Sequence, residues 1–323
     1  MNALTFQKAG EAEEVLALQD IARPVPGPGE ILIRVKASPI NPSDRFFIHG
    51  TYRFKPAFPQ TAGLEGAGVV EATGAGVSVP AGSLVSFDGR GAWAEYAVVP
   101  ETSVVVLPDT FPLEKAAQFY LNPFTAWCLL EAVRLSPGEW LCVTAATAAV
   151  SGIVIQLARS RGIRTIATVR QGGFPAELET LSPDLILEQD QQDFASRVLE
   201  ATGGAGVKGV LDAVGGETAS GLIGCMAPGG HIVVYGMLSP AEVRYHNTQL
   251  IYRNLTISGF GIRNALGRQT SEERKTMIST LAREISRPAF YLPVSASYAL
   301  DEFAGALRAE ATPGRKGKVI LLP

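Results

Sequence analysis

In the first third of the chain, short runs of alternating apolar and polar residues are broken by Pro and Gly. The runs "EILIRVKASPI", "GAGVVEATG", "SLVSFD" and "WAEYAVVP" carry the period of two that half-buried strands require. They predict a compact β domain, with Glu65–Gly68 as a tight corner in which glycine takes positive φ. Near Pro112 the period changes. "LEKAAQFYLNPFTAWCLLEAV" has helical spacing, with a break predicted at Asn122–Pro123. Beyond it, strands are predicted at Trp140–Ala146, Arg164–Arg170, Leu185–Glu188, Gly209–Val214, His231–Gly236 and Leu255–Phe260. Between and after them come helices at Val150–Arg161, Asp193–Thr202, Glu217–Cys225 and Ser271–Ile285. Such alternation builds a parallel, doubly wound sheet of the α/β class. The closing "SYALDEFAGALRAEATPGRKGKVILLP" reads as a helix, a Gly-containing turn and a final strand. That strand is expected to return to the β domain, since the parallel sheet is already complete. There is no internal repeat.

Composition narrows the class. At 323 residues the chain has room for two cores, and with 46% hydrophobic and 18% charged residues it suits a folded globular protein. A net charge of −3 without a basic run offers nothing to track nucleic-acid phosphates. No apolar stretch reaches about 18 residues, so no membrane span is expected. The segment "MNALTFQKAGEAEEVLAL" lacks the basic start and apolar block of a signal peptide. Cys128, Cys142 and Cys225 have no paired spacing and read as core residues of a reducing compartment, which makes the expected location cytoplasmic.

One segment carries candidate chemistry. In "LCVTAATAAVSGIVIQLARSRG" an apolar strand runs through a small-residue loop straight into a helix, the layout of a dinucleotide-binding turn. Ala148, Ala149 and Ser151 stand where glycines would serve the turn, the phosphate approach and the helix packing. Alanine is penalised only at positive φ, by about 1–2 kcal/mol. A turn through negative φ therefore keeps the N–H groups of Ala148, Ala149 and Val150 available, and the helix start adds its partial positive charge. Thr147 and Ser151 are candidate hydroxyl donors. An ordinary strand–loop–helix connection that binds nothing remains the alternative. The second strand, "RTIATVR", ends in Arg170 where NAD-selective sites place an acid. An arginine there suits the 2′-phosphate of NADPH, with Gln171 beside it.

Several segments together resemble the medium-chain dehydrogenase/reductase superfamily, and within it the zinc-independent reductases. They are "PGPGEILIRVKASPINPSD", "GLEGAGVVEATGAGV", "LNPFTAWCLLEAVRLSPGEW", "LDAVGGET", "APGGHIVVYGMLS" and "GRKGKVILLP", in order along essentially the whole chain. "NPSDRFFIHGTY", "NPFTAWCLL" and "QLIYRNLTISGF" look most like 2-enoyl thioester reductases, with NADPH:quinone oxidoreductases as close relatives. The resemblance implies a GroES-like catalytic domain over 1–118 and 268–323, and a Rossmann-type NADPH domain over 119–267. The family's zinc enzymes use a cysteine in the first region and a histidine in a Gly-His-Glu corner. Here Leu64 replaces the histidine and Asn41–Asp44 offers no thiol, so no tetrahedral site assembles by spacing.

By the same resemblance Tyr52 in "HGTY" matches the tyrosine implicated in thioester reduction, and Asn41 and Asp44 lie near the nicotinamide as its catalytic neighbours. Asn122, Thr125, Tyr235, Gly236, Met237, Leu238, Phe260, Gly261 and Lys318 are implied to complete the cofactor site. The activity implied is NADPH-dependent reduction of an activated C=C bond in a small molecule: an enoyl thioester or enone, with a quinone as alternative substrate. A non-catalytic NADPH-binding protein is a further alternative. "GFG" at Gly259–Gly261 lacks a bulky aromatic that thioester reductases often carry there, which implies a reshaped pocket. The sixth strand is expected to pair with its copy in a homodimer.

Overall fold

The computed structural model describes residues 1–170, 172, 176–189 and 193–323. Gln171, proposed above for the 2′-phosphate pocket, lies outside them. The chain divides into two compact units. One comprises residues 1–121, 280–288 and 292–323; the other comprises 122–279 and 289–291.

The first unit is β-rich. Its larger sheet runs Val294–Ala299, Lys318–Leu322, Glu30–Pro39, Glu65–Thr73, Leu84–Asp88, Val104–Val106, with Tyr96–Pro100 on the other register of Glu30–Pro39. The final strand joins this sheet as expected, pairing Ile320 with Pro39 and Leu321 with Ser38. Alternate residues Ile31, Ile33 and Val35 point inward onto Val70, Val85, Phe87 and Val99. A second core gathers Phe6, Phe47, Leu64 and the fully buried Trp93. Each such side chain contributes about 1.5–3 kcal/mol by leaving water.

Glu65–Gly68 is not a corner; it opens a strand. Gly66 and Gly68 are needed for close approach, since a Cβ at Gly68 would lie 2.2 Å from the Arg34 carbonyl oxygen. The positive φ falls earlier, at Gly63 (+88°), against Trp93.

The second unit holds a six-stranded sheet in the order Leu185–Glu188, Arg164–Val169, Trp140–Val143, Val207–Asp212, Met226–Val234, Thr256–Gly259. Every pairing is parallel. Counted from its first strand the order is 3-2-1-4-5-6, that of the doubly wound dinucleotide fold. The strands read as continuous apolar runs because helices cover both faces, and Cys142, Ile166, Val210, Leu222 and Ile232 share one core. Cys128, Cys142 and Cys225 are buried free thiols. The break predicted at Asn122–Pro123 falls earlier, at 118–120: helices span Leu113–Ala117 and Leu121–Val133. Pro123 sits in a first helical turn, where its missing N–H has no partner to lose. Among the described residues no helix is long and apolar enough to cross a membrane.

Candidate active site

In open parallel sheets, ligands bind beyond the strands' carboxyl ends where the winding reverses. Here that point lies between Trp140–Val143 and Val207–Asp212. The loop after the first strand leads into the helix Ala149–Ser160 through Ala148 (φ −73°, ψ 149°), and no side chain caps the helix. Ala148 takes the negative φ that alanine tolerates. Positive φ does occur in this loop, at Ala145 (+48°), which the sequence did not reveal; its carbonyl accepts the Ala148 N–H at 2.9 Å, so that N–H, expected to be available, is spent within the loop. Thr147 and Ala148 are exposed, and Ala149 and Val150 are half-buried. The first-turn N–H groups have no acceptor within the helix and carry its positive end.

Ser151 does not serve as a phosphate donor. It is fully buried, gives its hydroxyl to the Thr144 carbonyl at 3.1 Å, and lies 3.1 Å from the Tyr235 hydroxyl. The glycine it replaces would have served close helix–strand packing, and serine meets that need by bonding to the strand end it touches. Burial pushes the Tyr235 phenol up to about 12, the nearby Asp212 adding to the effect, so it remains a neutral donor.

The neighbouring turn is organised by Asp212, which sequence reasoning left without a role. It is fully buried; one oxygen accepts from Thr144 Oγ1 (2.9 Å) and Val214 N (3.0 Å), the other from Gly215 N (3.0 Å). The available signal was an acid ending an apolar strand directly before "AVGG". Gly236 follows the fifth strand, where a Cβ would lie 2.6 Å from the Ala213 carbonyl oxygen. Met237 and Leu238 beyond it are 82% and 72% exposed. Phe260 is half-buried and Gly261 exposed, the latter opening the helix Ile262–Gly267 with extended backbone. Arg170 is exposed just past the second strand. Asn122 is buried with no hydrogen-bond partner for its Nδ2, while Thr125, one turn on, is half-buried. An uncapped helix start at the switch point and an orphaned buried amide donor fit a dinucleotide.

In the first unit, Tyr52 is half-buried just past the helix Pro42–His49. That helix ends at Gly50 in left-handed geometry, and the N–H groups of Thr51 and Tyr52 both return to the Phe46 carbonyl. The Tyr52 ring meets Phe54 edge-on at 4.9 Å, with the Arg53 guanidinium 5.2 Å away. Asn41 and Asp44 precede it on the same helix start. Both are buried, at 1% and 0% exposure, and Asn41 donates from Nδ2 to Glu65 at 3.0 Å. The Asp44 carboxylate accepts the Asn41 N–H at 2.7 Å and fixes the helix start. Burial raises its pKa to about 7, partly offset by that N–H and the charge of Lys318. Lys318, expected at the cofactor, is buried in the same cluster and donates to Asn41 Oδ1.

Leu64 is packed among apolar side chains, and among the described residues no cluster of three or more His, Cys, Asp or Glu side chains can hold a metal. Residues 27–109 match the alcohol dehydrogenase GroES-like domain family, and residues 149–283 the zinc-binding dehydrogenase family. The mitochondrial enoyl-[acyl-carrier-protein] reductase of Xenopus tropicalis is 32% identical over 99% of this chain and 94% of its own length. The quinone oxidoreductase of Pseudomonas syringae pv. tomato superposes with a TM-score of 0.87 at 28% identity, covering 100% of this chain and 99% of that one. A mycobacterial protein solved with NADPH superposes at 0.86 and 29%, covering 100% of both chains. A β-rich GroES-like part joined to a Rossmann-type sheet defines a dehydrogenase-type oxidoreductase. The chain belongs to the medium-chain dehydrogenase/reductase superfamily, alongside enoyl reductases and quinone reductases. Its family and the NADPH complex of the mycobacterial protein point to a nicotinamide cofactor.

Proposed function

We propose that the chain is an NADPH-dependent, metal-independent reductase of activated carbon–carbon double bonds, with 2-enoyl thioesters or related enones as substrates. The observation that carries this reading is the uncapped start of the helix at Ala149–Val150, with the exposed Arg170 past the neighbouring strand. The first offers backbone donors for a pyrophosphate, the second a bidentate partner for a 2′-phosphate. The similarity to enoyl reductases supports the substrate class.

NADPH, when bound, supplies a hydride for the substrate's β-carbon; the π electrons move to the carbonyl oxygen until a proton joins the α-carbon. The chain's part is to orient, exclude water and offer donors to the developing charge. Tyr52 is assigned as the donor to that oxygen or as the route of the proton, its ring held by Phe54. Asn122 and Thr125 are assigned to the cofactor, with the backbone at Gly236–Leu238 and Phe260–Gly261. Asn41 and Asp44 act at one remove, by holding the helix that leads to Tyr52.

A quinone reductase is the second reading, favoured by the aromatic surroundings of Tyr52: Phe54 at 4.9 Å and, behind it, Phe47 at 5.4 Å from Phe54. Oxidation of NADPH by crotonyl-CoA and by a simple benzoquinone, side by side and with NADH as control, separates the two. Thioester turnover preferring NADPH supports the first reading, and quinone turnover alone replaces it with the second.

A homodimer through Thr256–Gly259 belongs to the same proposal. Among the described residues this strand is the last of its sheet, with Ile257 38% and the nearby Tyr252 82% exposed. Light scattering after size exclusion tests it, and a monomer at micromolar concentration contradicts it.

A further inference from the structure

A buried cluster ties Asn41 to two residues that have no role in the chemistry above, Glu65 and Lys318. Glu65, Asn41 and Lys318 are 1%, 1% and 6% exposed and come from three separate elements. Glu65 Oε1 accepts the N–H of Leu121, the residue opening the helix Leu121–Val133, at 2.6 Å. Its Oε2 accepts from Asn41 Nδ2 at 3.0 Å. Asn41 Oδ1 accepts from the Lys318 ammonium, whose Nζ also lies 3.5 Å from the Ile40 carbonyl oxygen. Lysine can only donate and a carboxylate can only accept, so the Asn41 carboxamide is locked in one orientation. Asn41 stands at the N-cap of the helix Pro42–His49, bound to it through its backbone and Asp44, and Tyr52 is tied to that helix through Phe46. Glu65 is therefore linked to Tyr52 through the Asn41 carboxamide, the helix that Asn41 precedes and the Phe46 carbonyl.

We infer that Glu65 and Lys318 are positioning residues: gripping the Asn41 carboxamide from its two ends, they hold Tyr52 and the Leu121 helix start in working geometry. This rests on the reductase reading for its kinetic consequence, though not for its structural one. Such a clamp stays buried at a cost in desolvation, which an ordinary apolar core would avoid. Its grip requires the Glu65 carboxylate. The charged groups facing it are Lys318 from the last strand, Asp44 from the capped helix and Asp88 from the adjoining strand; Arg315 and Glu310 face Lys318. Burial raises Glu65 and lowers Lys318. With both acids ionised the cluster would carry a surplus negative charge, so acidification protonates Glu65 within the working range and replaces the carboxylate that accepts the two N–H groups.

Glu65→Gln presents an NH2 where two N–H donors converge, and Lys318→Met removes the other end. Each variant is expected to lower kcat at least tenfold with KM changed less than about threefold. The wild-type kcat is expected to fall toward acid pH, and in Glu65→Gln that fall is expected to flatten. The double variant should be no worse than the poorer single one, since both act on one carboxamide. Hydrogen–deuterium exchange read on peptides covering residues 41–52 and 119–124 should speed up in each variant. Unchanged exchange in both segments overturns the inference, as does a kcat loss in Glu65→Gln that keeps the wild-type acid limb. Should Glu65→Gln not fold, Lys318→Met decides by the same measures. Should neither fold, the wild-type Leu121 N–H, bonded to Glu65, must be protected from exchange at neutral pH; free exchange of that amide overturns the clamp. If the wild type turns over neither substrate while the variants still accelerate exchange, the substrate assignment fails and the clamp stands.

Discussion

The Ser151 and Tyr235 hydroxyls meet at 3.1 Å beneath the first turn of the helix Ala149–Ser160, tying the ends of the first and fifth strands of the parallel sheet. A serine at the third fingerprint position is thus accommodated by a partner 84 residues away. Tyr235→Phe removes one half-buried hydrogen bond and is expected to cost about 0.5–1.5 kcal/mol. Urea unfolding should show that loss with the m-value unchanged, and NADPH titration a several-fold weaker Kd. Stability equal to wild type would mean the pair contributes nothing.

Ala148→Asp sets folding and binding against each other. The residue is exposed at the N-cap of an uncapped helix, so aspartate should stabilise the free protein by about 0.5–1 kcal/mol. The same carboxylate would face the pyrophosphate, and NADPH affinity should fall at least tenfold. A higher Tm with unchanged NADPH affinity would remove the pyrophosphate from this loop.

Arg170 is exposed beyond the second strand, which ends in no acid of its own; Glu188 of the neighbouring strand accepts the Gly172 N–H nearby at 2.8 Å. Arg170→Ala is expected to reduce the preference for NADPH over NADH by at least tenfold in kcat/KM, leaving NADH turnover within about twofold. Equal losses with both cofactors would assign the arginine to something other than the 2′-phosphate.

Asp44 sets a pH dependence of stability. Its folded pKa lies near 7 against an ordinary 3.8, raised mainly by burial, so folding takes up a proton between those values. Stability should therefore decline as pH rises from about 4 to about 7, and hold steady above as far as this group is concerned. Burial of Glu65 acts in the same direction. Asp44→Asn, which retains an acceptor for the Asn41 N–H, is expected to shallow that decline by one group's share. A wild-type stability that climbs through this window would contradict the assignment.

Much of this was legible in the sequence. The parallel strands could be placed because buried strands read as apolar runs between helical periods: Leu185–Glu188 was predicted to the residue. What eluded prediction shares one cause, since it depends on which distant side chains meet. Nothing local distinguishes Ala145, at positive φ, from Ala148, at negative φ. Asn41 and Asp44 look like exposed polar turn residues until Glu65 and Lys318, 24 and 277 residues away, are seen to enclose them. Ser151 reads as a phosphate donor until Tyr235 is found beside it.

The central claim is hydride delivery to the β-carbon, and isotope tracing tests it most directly. Crotonyl-CoA is reduced in ordinary water with NADPH carrying deuterium at the transferable C4 position, and the product is read by NMR. One deuterium at C3 of the butyryl product and a solvent proton at C2 is the predicted result. Deuterium at C2, or a butyryl product free of deuterium, would contradict it.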